Sequence, residues 1–166
     1  LTKVAFPRLV APTAALLPEF VDLAVAAVLA TIVGLASGGG MSATDLLIGL
    51  PLGLVLLVAS VAGPVLLLSA TVVKYRDASA LVSFGLQFLL FASPVAYPPE
   101  FVPEAWRTAL YLNPLAGALG LLRAALVDTP MPPATSVLLS FAVATVLLLV
   151  GLLHFRRSER EFADII

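Results

Sequence analysis

The chain has 166 residues, of which 61% are hydrophobic and 11% are charged, and its mean hydropathy is +1.11. Soluble domains average about 45–50% apolar and about 25% charged residues, so this composition excludes a soluble enzyme, a secreted disulfide scaffold (there is no cysteine) and a disordered tail. With 9 basic and 10 acidic residues, the chain has no overall positive charge that would attract nucleic acid. An integral membrane protein remains.

Four long stretches of the chain contain no Asp, Glu, Lys or Arg: residues 23–44, 46–73, 78–99 and 129–155. A membrane-spanning helix needs about 20 mostly apolar residues, whereas strands are shorter and alternate in polarity. We therefore predict an all-α membrane protein with one transmembrane domain over residues 1–166. Its spans are expected near residues 18–36, 47–73, 78–96 and 134–154.

Glycine and proline mark particular positions within the second predicted span. Gly49 and Gly53 form a G-x-x-x-G pair, which permits close approach of another helix. Pro51 and Pro64 are tolerated inside a membrane helix because neighbouring groups satisfy the freed carbonyls.

The distribution of basic residues predicts the orientation in the membrane. Alternating the loops between two sides places seven basic residues on one side, namely Lys3, Arg8, Lys74, Arg76, Arg156, Arg157 and Arg160. The other side holds only Arg107 and Arg123. Since cytoplasmic loops carry the excess of Lys and Arg, both ends of this piece are predicted to be cytoplasmic.

Residues 97–128 are predicted to lie on the outer side and are too apolar for an ordinary loop. Pro103 and Glu104 suit the start of a first short helix, and Asn113 can cap a second one with Pro114 at its first position. The second helix would run to about Val127. Fourteen residues reach roughly 21 Å, which is short of a bilayer core of about 30 Å. The pattern fits a re-entrant pair and a surface-lying pair equally well.

Six short motifs occur in order along the chain and point to one family. They are Lys3-Val4-Ala5-Phe6-Pro7-Arg8, Lys74-Tyr75-Arg76-Asp77, Ser93-Pro94-Val95-Ala96-Tyr97-Pro98, Trp106-Arg107, Leu112-Asn113-Pro114-Leu115 and the tail at 156–166. In these motifs the chain resembles the permease subunits of ABC transporters that export polysaccharides and polyol phosphates, the O-antigen, teichoic-acid and capsule exporter type.

The resemblance implies a larger assembly. Family members have six spans preceded by a cytoplasmic interfacial helix, so this chain would be the C-terminal portion, lacking that helix and two spans. Two permease copies form a homodimer in the lipids of the bacterial cytoplasmic (inner) membrane and move a lipid-linked glycan. Two separate ATP-binding subunits drive them. This chain has no phosphate-binding G-x-x-x-x-G-K-[ST] motif, so ATP and Mg are expected on the partner subunit and no cofactor here.

The same resemblance implies that the outer pair of short helices is re-entrant and caps the outer end of the pathway. It also implies that short cytoplasmic elements couple the ATPase to the spans. The residues expected to do so lie in two places, Lys3, Phe6, Pro7 and Arg8 in the first and Tyr75, Arg76 and Asp77 in the second. Arg8 beside the stiff Phe6-Pro7 pair offers a rigid docking charge.

An aromatic row is the candidate translocation pathway. Phe84, Phe88 and Phe91 follow at i, i+4 and i+7 and share one helix face, with Gln87 beside them and Tyr97 beyond. Aromatic faces suit sugar rings, because they combine flat apolar area with polar tips. The alternative is that the row packs against a neighbouring helix or lipid.

The outer segment supplies the candidate gate residues Trp106, Asn113, Pro114 and Arg123. A charge amid apolar residues needs a partner, and Asp128 or Glu104 are candidates for Arg123. Contact with a substrate phosphate is the alternative, since Arg pairs bidentately with phosphate. Trp106 also suits an interfacial belt.

Two other functions remain open at this point. An ABC exporter of a drug or small lipid would look similar in sequence. A membrane-embedded enzyme of glycolipid synthesis should cluster acids or histidines at one membrane face, but only Glu19 and Asp22 approach that arrangement. One histidine, His154, does not make a metal site, so neither catalytic nor metal-binding residues are predicted.

Overall fold

The computed structural model describes residue 14 and residues 17–36, 42–75, 77–95, 97–127 and 129–163, apart from the side chains of residue 43 and residues 159–163. The helices are α1 (Leu17–Ala36), α2 (Ala43–Lys74), α3 (Ala78–Ala92), α4 (Glu104–Leu110), α5 (Pro114–Val127) and α6 (Ala134–Ala163), with a 3₁₀ turn at Pro99–Phe101. The described residues contain no strand, and the predicted all-α membrane fold is confirmed.

Among the described helices, three are long and apolar enough to cross a membrane, namely α1, α2 and α6. The bent pair of α4 and α5 adds a fourth if it forms one span. Pro51 and Pro64 lie within an unbroken α2, as expected. The third predicted span, 78–96, is only the 15-residue α3. It ends early because Ser93 precedes Pro94 and takes an extended conformation, and a residue before proline disfavours the α region.

The core of the structure lies between α2, α5 and α6. Its buried members are Leu56, Ala118, Leu121 and Ala144, surrounded by the partly buried Leu57, Ala59, Val137 and Phe141. Most side chains of α1 and all those of α3 remain at least partly exposed. The short helix α5 is therefore one of the three helices that build the core.

Glycines fix how closely α2 approaches its two neighbours. A Cβ added at Gly49 would lie 3.0 Å from the carbonyl oxygen of Leu121, and one at Gly53 would lie 2.9 Å from Cδ2 of Leu122. Further along α2, a Cβ at Gly63 would lie 2.6 Å from the carbonyl carbon of Leu147 in α6. The close helix approach predicted from the Gly49/Gly53 pair is confirmed, and its partner is α5.

The register of α5 on α2 shows which part of α2 the second short helix lies against. Later residues of α5 lie beside Gly49 and Gly53, whereas Gly117, one turn from its start, lies beside Leu56. The two helices are thus antiparallel. The first turn of α5 lies beside Leu56, which is roughly 20 Å from the start of α2 at a rise of about 1.5 Å per residue. By length, composition and bend, the pair formed by α4 and α5 fits either one broken span or a re-entrant segment.

Candidate functional site

The break between α4 and α5 is built by Asn113 and Pro114, as the sequence predicts. The backbone N–H of Leu115 donates to Asn113 Oδ1 at 3.1 Å, which is the bond of an N-cap residue. Pro114 occupies the first position of α5 and is buried. The axes of α4 and α5 differ by 103° across this break, so the chain turns back on itself here.

The same asparagine also holds the end of α3. Its Nδ2 donates to Ser93 Oγ at 2.8 Å and, at 3.4 Å, to the carbonyl oxygen of Ala92. Ser93 is only 1% exposed. Sequence reasoning missed this link, because nothing in the spacing of the two residues shows that they meet.

Arg123 has different partners from those expected. Its guanidinium donates to the carbonyl oxygens of Pro94 at 2.5 Å, Val95 at 3.0 Å and Tyr97 at 3.4 Å. Within the described part of the chain, no hydrogen bond or ion pair joins it to Glu104, one of the two candidate partners. Asp128, the other candidate, lies outside the described residues. The cation is stabilised by oriented carbonyl dipoles, which accept hydrogen bonds without carrying a full charge.

A third tie connects the break to α6. Ser140, in α6, donates from Oγ to the carbonyl oxygen of Tyr111 at 2.9 Å. Gly117 lies directly against the Ser140 side chain, since a Cβ at Gly117 would collide with it. The break in the pair formed by α4 and α5, called below the short-helix pair, is thus anchored to α6 and to α3.

The predicted aromatic row is open. Phe84, Phe88 and Phe91 are 73%, 69% and 75% exposed, and Gln87 beside them is exposed too. The rings are not buried by any described helix of this chain, which leaves them accessible to substrate, lipid or a second copy. The row runs along α3 toward the turn at 93–97, where Tyr97 is half-buried.

Of the remaining predicted gate and coupling residues, the structure describes Trp106, Tyr75 and Asp77. Trp106 lies on α4 and is 67% exposed. Tyr75 and Asp77 are exposed in the tight connection between α2 and α3, in which the N–H of Ala78 donates to the carbonyl oxygen of Tyr75 at 3.0 Å. Other predicted coupling residues lie outside the described residues, namely Lys3, Phe6, Pro7, Arg8 and Arg76.

Glu19 and Asp22 are the two acidic residues of α1. Glu19 and Asp22 are exposed, and among the described residues no group of three or more His, Cys, Asp or Glu could hold a metal ion. Glu19 instead borders an apolar cleft of about 400 Å³ between α1 and α2, lined by Phe20, Leu23, Leu57, Val58, Val61, Ala62 and Val65.

Comparison with known proteins places this architecture among transporters. The family model described as "ABC-2 type transporter" matches residues 3–127. An O-antigen export system permease protein, RfbA, from Myxococcus xanthus is 28% identical to the chain over 166 residues. That alignment covers 99% of this chain and 63% of the relative, so the chain spans less than two thirds of the relative's length.

Proposed function

The chain belongs to the ABC-2 type transporter family, and from this premise we propose that it is the transmembrane subunit of an ATP-driven exporter of lipid-linked polysaccharide or polyol phosphate. The observation that carries the proposal is the short-helix pair tied by Asn113 and Arg123 to the end of α3, whose aromatic face is open. In this arrangement α3 offers rings to a passing glycan, and the pair closes the outer end of the pathway.

The energy comes from a separate ATP-binding subunit that carries ATP and Mg. This chain has no Walker-type phosphate loop, and ABC-2 permeases act in export systems with such a partner. The exposed Tyr75 and Asp77 connection is one contact surface for the partner. The segment around Phe6, Pro7 and Arg8 is the other, with Arg8 supplying a docking charge.

Two copies of the permease enclose the pathway. The described helices leave the α3 row open on one side, so a second copy is needed to surround the substrate. The homodimer sits in the bacterial cytoplasmic membrane with both ends of this piece inside, in keeping with the excess of basic residues on that side.

The function is tested in cells from which the permease gene has been deleted and which therefore retain glycan inside. Expression of the full-length permease with its ATPase should restore glycan at the cell surface. A matched ATPase variant lacking the phosphate-loop lysine should not restore it. Surface glycan that appears equally with the inactive ATPase, or that is absent with the intact pair, would contradict ATP-driven export by this subunit.

An exporter of a drug or small lipid is the second candidate, and the apolar cleft between α1 and α2 is the observation that favours it. The same cells separate the two functions. Accumulation of a fluorescent lipid or drug that falls on expression, with no surface glycan, would support this candidate instead. An enzyme of glycolipid synthesis finds no support in the acids of α1, which form no metal-binding group among the described residues.

A further inference from the structure

A cavity of about 370 Å³ with both polar and apolar lining lies beside the short-helix pair, between the 98–100 segment, α4, α5 and the loop that leads into α6. Its walls include five prolines: Pro98, Pro99, Pro130, Pro132 and Pro133. Proline has one restricted backbone torsion, so these walls are stiff and little entropy is lost when a ligand settles there. The volume falls within the range of small-molecule sites, about 300–1,000 Å³.

The described lining of this cavity includes two acids and two cations, namely Glu100, Glu104, Arg107 and Arg123, and their formal charges sum to zero. Both guanidinium groups are already engaged with backbone carbonyls. Arg107 donates to the carbonyl oxygens of Val102 at 3.1 Å and Glu100 at 3.3 Å, and Arg123 binds the 94–97 turn. Neither carboxylate forms an ion pair or hydrogen bond within the described ranges, so both remain acceptors for a ligand.

Tyr111 adds a hydroxyl to the same cavity. Tyr111 is 7% exposed and lines the cavity. Its hydroxyl forms no hydrogen bond with the described side chains or backbone. Every side-chain N or O that is fully enclosed among the described residues has a hydrogen-bond partner. Because the Tyr111 hydroxyl has none, it is not fully enclosed and is accessible from the cavity. The hydroxyls of Thr108 and Ser136 also line the wall.

We propose that this cavity binds a neutral saccharide unit of the exported polymer, an inference that rests on the proposed glycan export. A sugar ring presents several hydroxyls that donate to carboxylates and accept from Tyr111, and its C–H faces pack against proline rings. A polyol phosphate is disfavoured, because the described lining charges sum to zero and offer it no net attraction, and the two carboxylates repel its phosphates. A lipid tail is disfavoured because it would leave the charged groups buried without partners.

The site is tested by saturation-transfer NMR on the full-length permease with its ATPase in nanodiscs. The probes are a neutral mannose or rhamnose tetrasaccharide and a glycerol-phosphate tetramer of similar length. Saturation transfer to the neutral probe and not to the phosphate probe is expected. Glu104→Gln and Tyr111→Phe should each weaken neutral-probe binding about tenfold, as expected for one lost hydrogen bond to a charged or enclosed group.

The matched control is Thr145→Ala on α6, where the exposed hydroxyl bonds only to its own helix, and it should bind as wild type does. Preference for the phosphate probe, no binding of either probe, or binding unchanged in both cavity variants would overturn the inference. These outcomes differ from failure of the export proposal. If surface glycan still depends on the ATPase but the cavity binds no sugar, only the cavity proposal is wrong. If no surface glycan appears, the export proposal is wrong.

Discussion

Asn113 and Ser93 are joined by a hydrogen bond of 2.8 Å between the amide nitrogen of one and the hydroxyl of the other. The amide oxygen of the same asparagine caps α5. One side chain therefore fixes the start of α5 and the end of α3 together. Arg123, bound to the carbonyls of the following turn, adds a second tie between the same two elements. The end of α3 and the short-helix pair are consequently expected to move as one unit.

Asn113→Ala should destabilise the protein by about 1–3 kcal/mol, because it removes an N-cap worth about 1 kcal/mol and a buried hydrogen bond of similar value. Asn113→Asp keeps the cap acceptor and loses the amide donor, so its cost should be smaller. Unfolding in detergent measures both. A double-mutant cycle with Ser93→Ala should show coupling for Asn113, and a coupling free energy of zero would contradict the tie.

Arg123→Lys distinguishes a clamp on backbone carbonyls from a contact with substrate phosphate. A lysine keeps the charge but lacks the planar fork that reaches several carbonyls at once. We expect Arg123→Lys to lose stability nearly as Arg123→Gln does, by about 1–3 kcal/mol for hydrogen bonds to a charged group. Full stability and export in Arg123→Lys, with loss only in Arg123→Gln, would show that charge alone matters and would favour a phosphate contact.

The local features of the short-helix pair could be predicted from sequence, because proline and asparagine act on their immediate neighbours. The starts of both short helices were predicted from Pro103, Asn113 and Pro114. The end of the second helix near Val127 was predicted from the apolar residues that follow Pro114. The partners of Arg123 could not be predicted in this way. They are carbonyl groups, which every residue carries, so the sequence singles out none of them, whereas Glu104 stood out by its charge.

The early end of α3 shows another limit of sequence reasoning. The apolar run continues past Ser93, and hydropathy alone extended the predicted span to residue 96. The rule for the residue before proline places the end correctly at this point.

Likewise, the Gly49/Gly53 spacing predicted a close contact but not its partner, because the register of α5 on α2 depends on tertiary packing.

Gly63→Ala should destabilise the packing of α2 on α6. An added methyl group would lie 2.6 Å from the carbonyl carbon of Leu147 and 2.7 Å from the backbone nitrogen of Leu148, and backbone cannot move aside as a side-chain end can. We expect a cost of about 1–3 kcal/mol from overpacking, measured by unfolding in detergent.

The matched control is Gly85→Ala in α3, where nothing described lies within 4 Å of an added Cβ. This change should be neutral or stabilising by up to about 1 kcal/mol, since alanine is the better helix former. Equal effects of the two substitutions would contradict the tight α2–α6 contact.

The predicted orientation is tested with single cysteines in a chain that has none of its own. Ser42, Ser79 and Arg157 are suitable positions because all three are exposed. An impermeant maleimide applied to intact cells should label position 42 and not positions 79 and 157. Lysed cells, in which all three should react, provide the control. Labelling of position 157 from outside would reverse the assignment based on basic residues.

Phe88→Ala should lower glycan export and leave membrane abundance nearly unchanged. The ring is 69% exposed, so its removal creates no cavity inside this chain, but it takes away apolar area on which a sugar can stack, worth about 25 cal/mol per Å² buried.

The matched control is Phe155→Ala in α6, where the ring is 8% exposed. That substitution should cost about 3–5 kcal/mol of stability and lower abundance. Export per molecule, measured as surface glycan divided by permease in the membrane, separates the two effects. If Phe88→Ala behaves as Phe155→Ala does, with low abundance and normal export per molecule, the α3 row packs against a second copy and does not line the pathway.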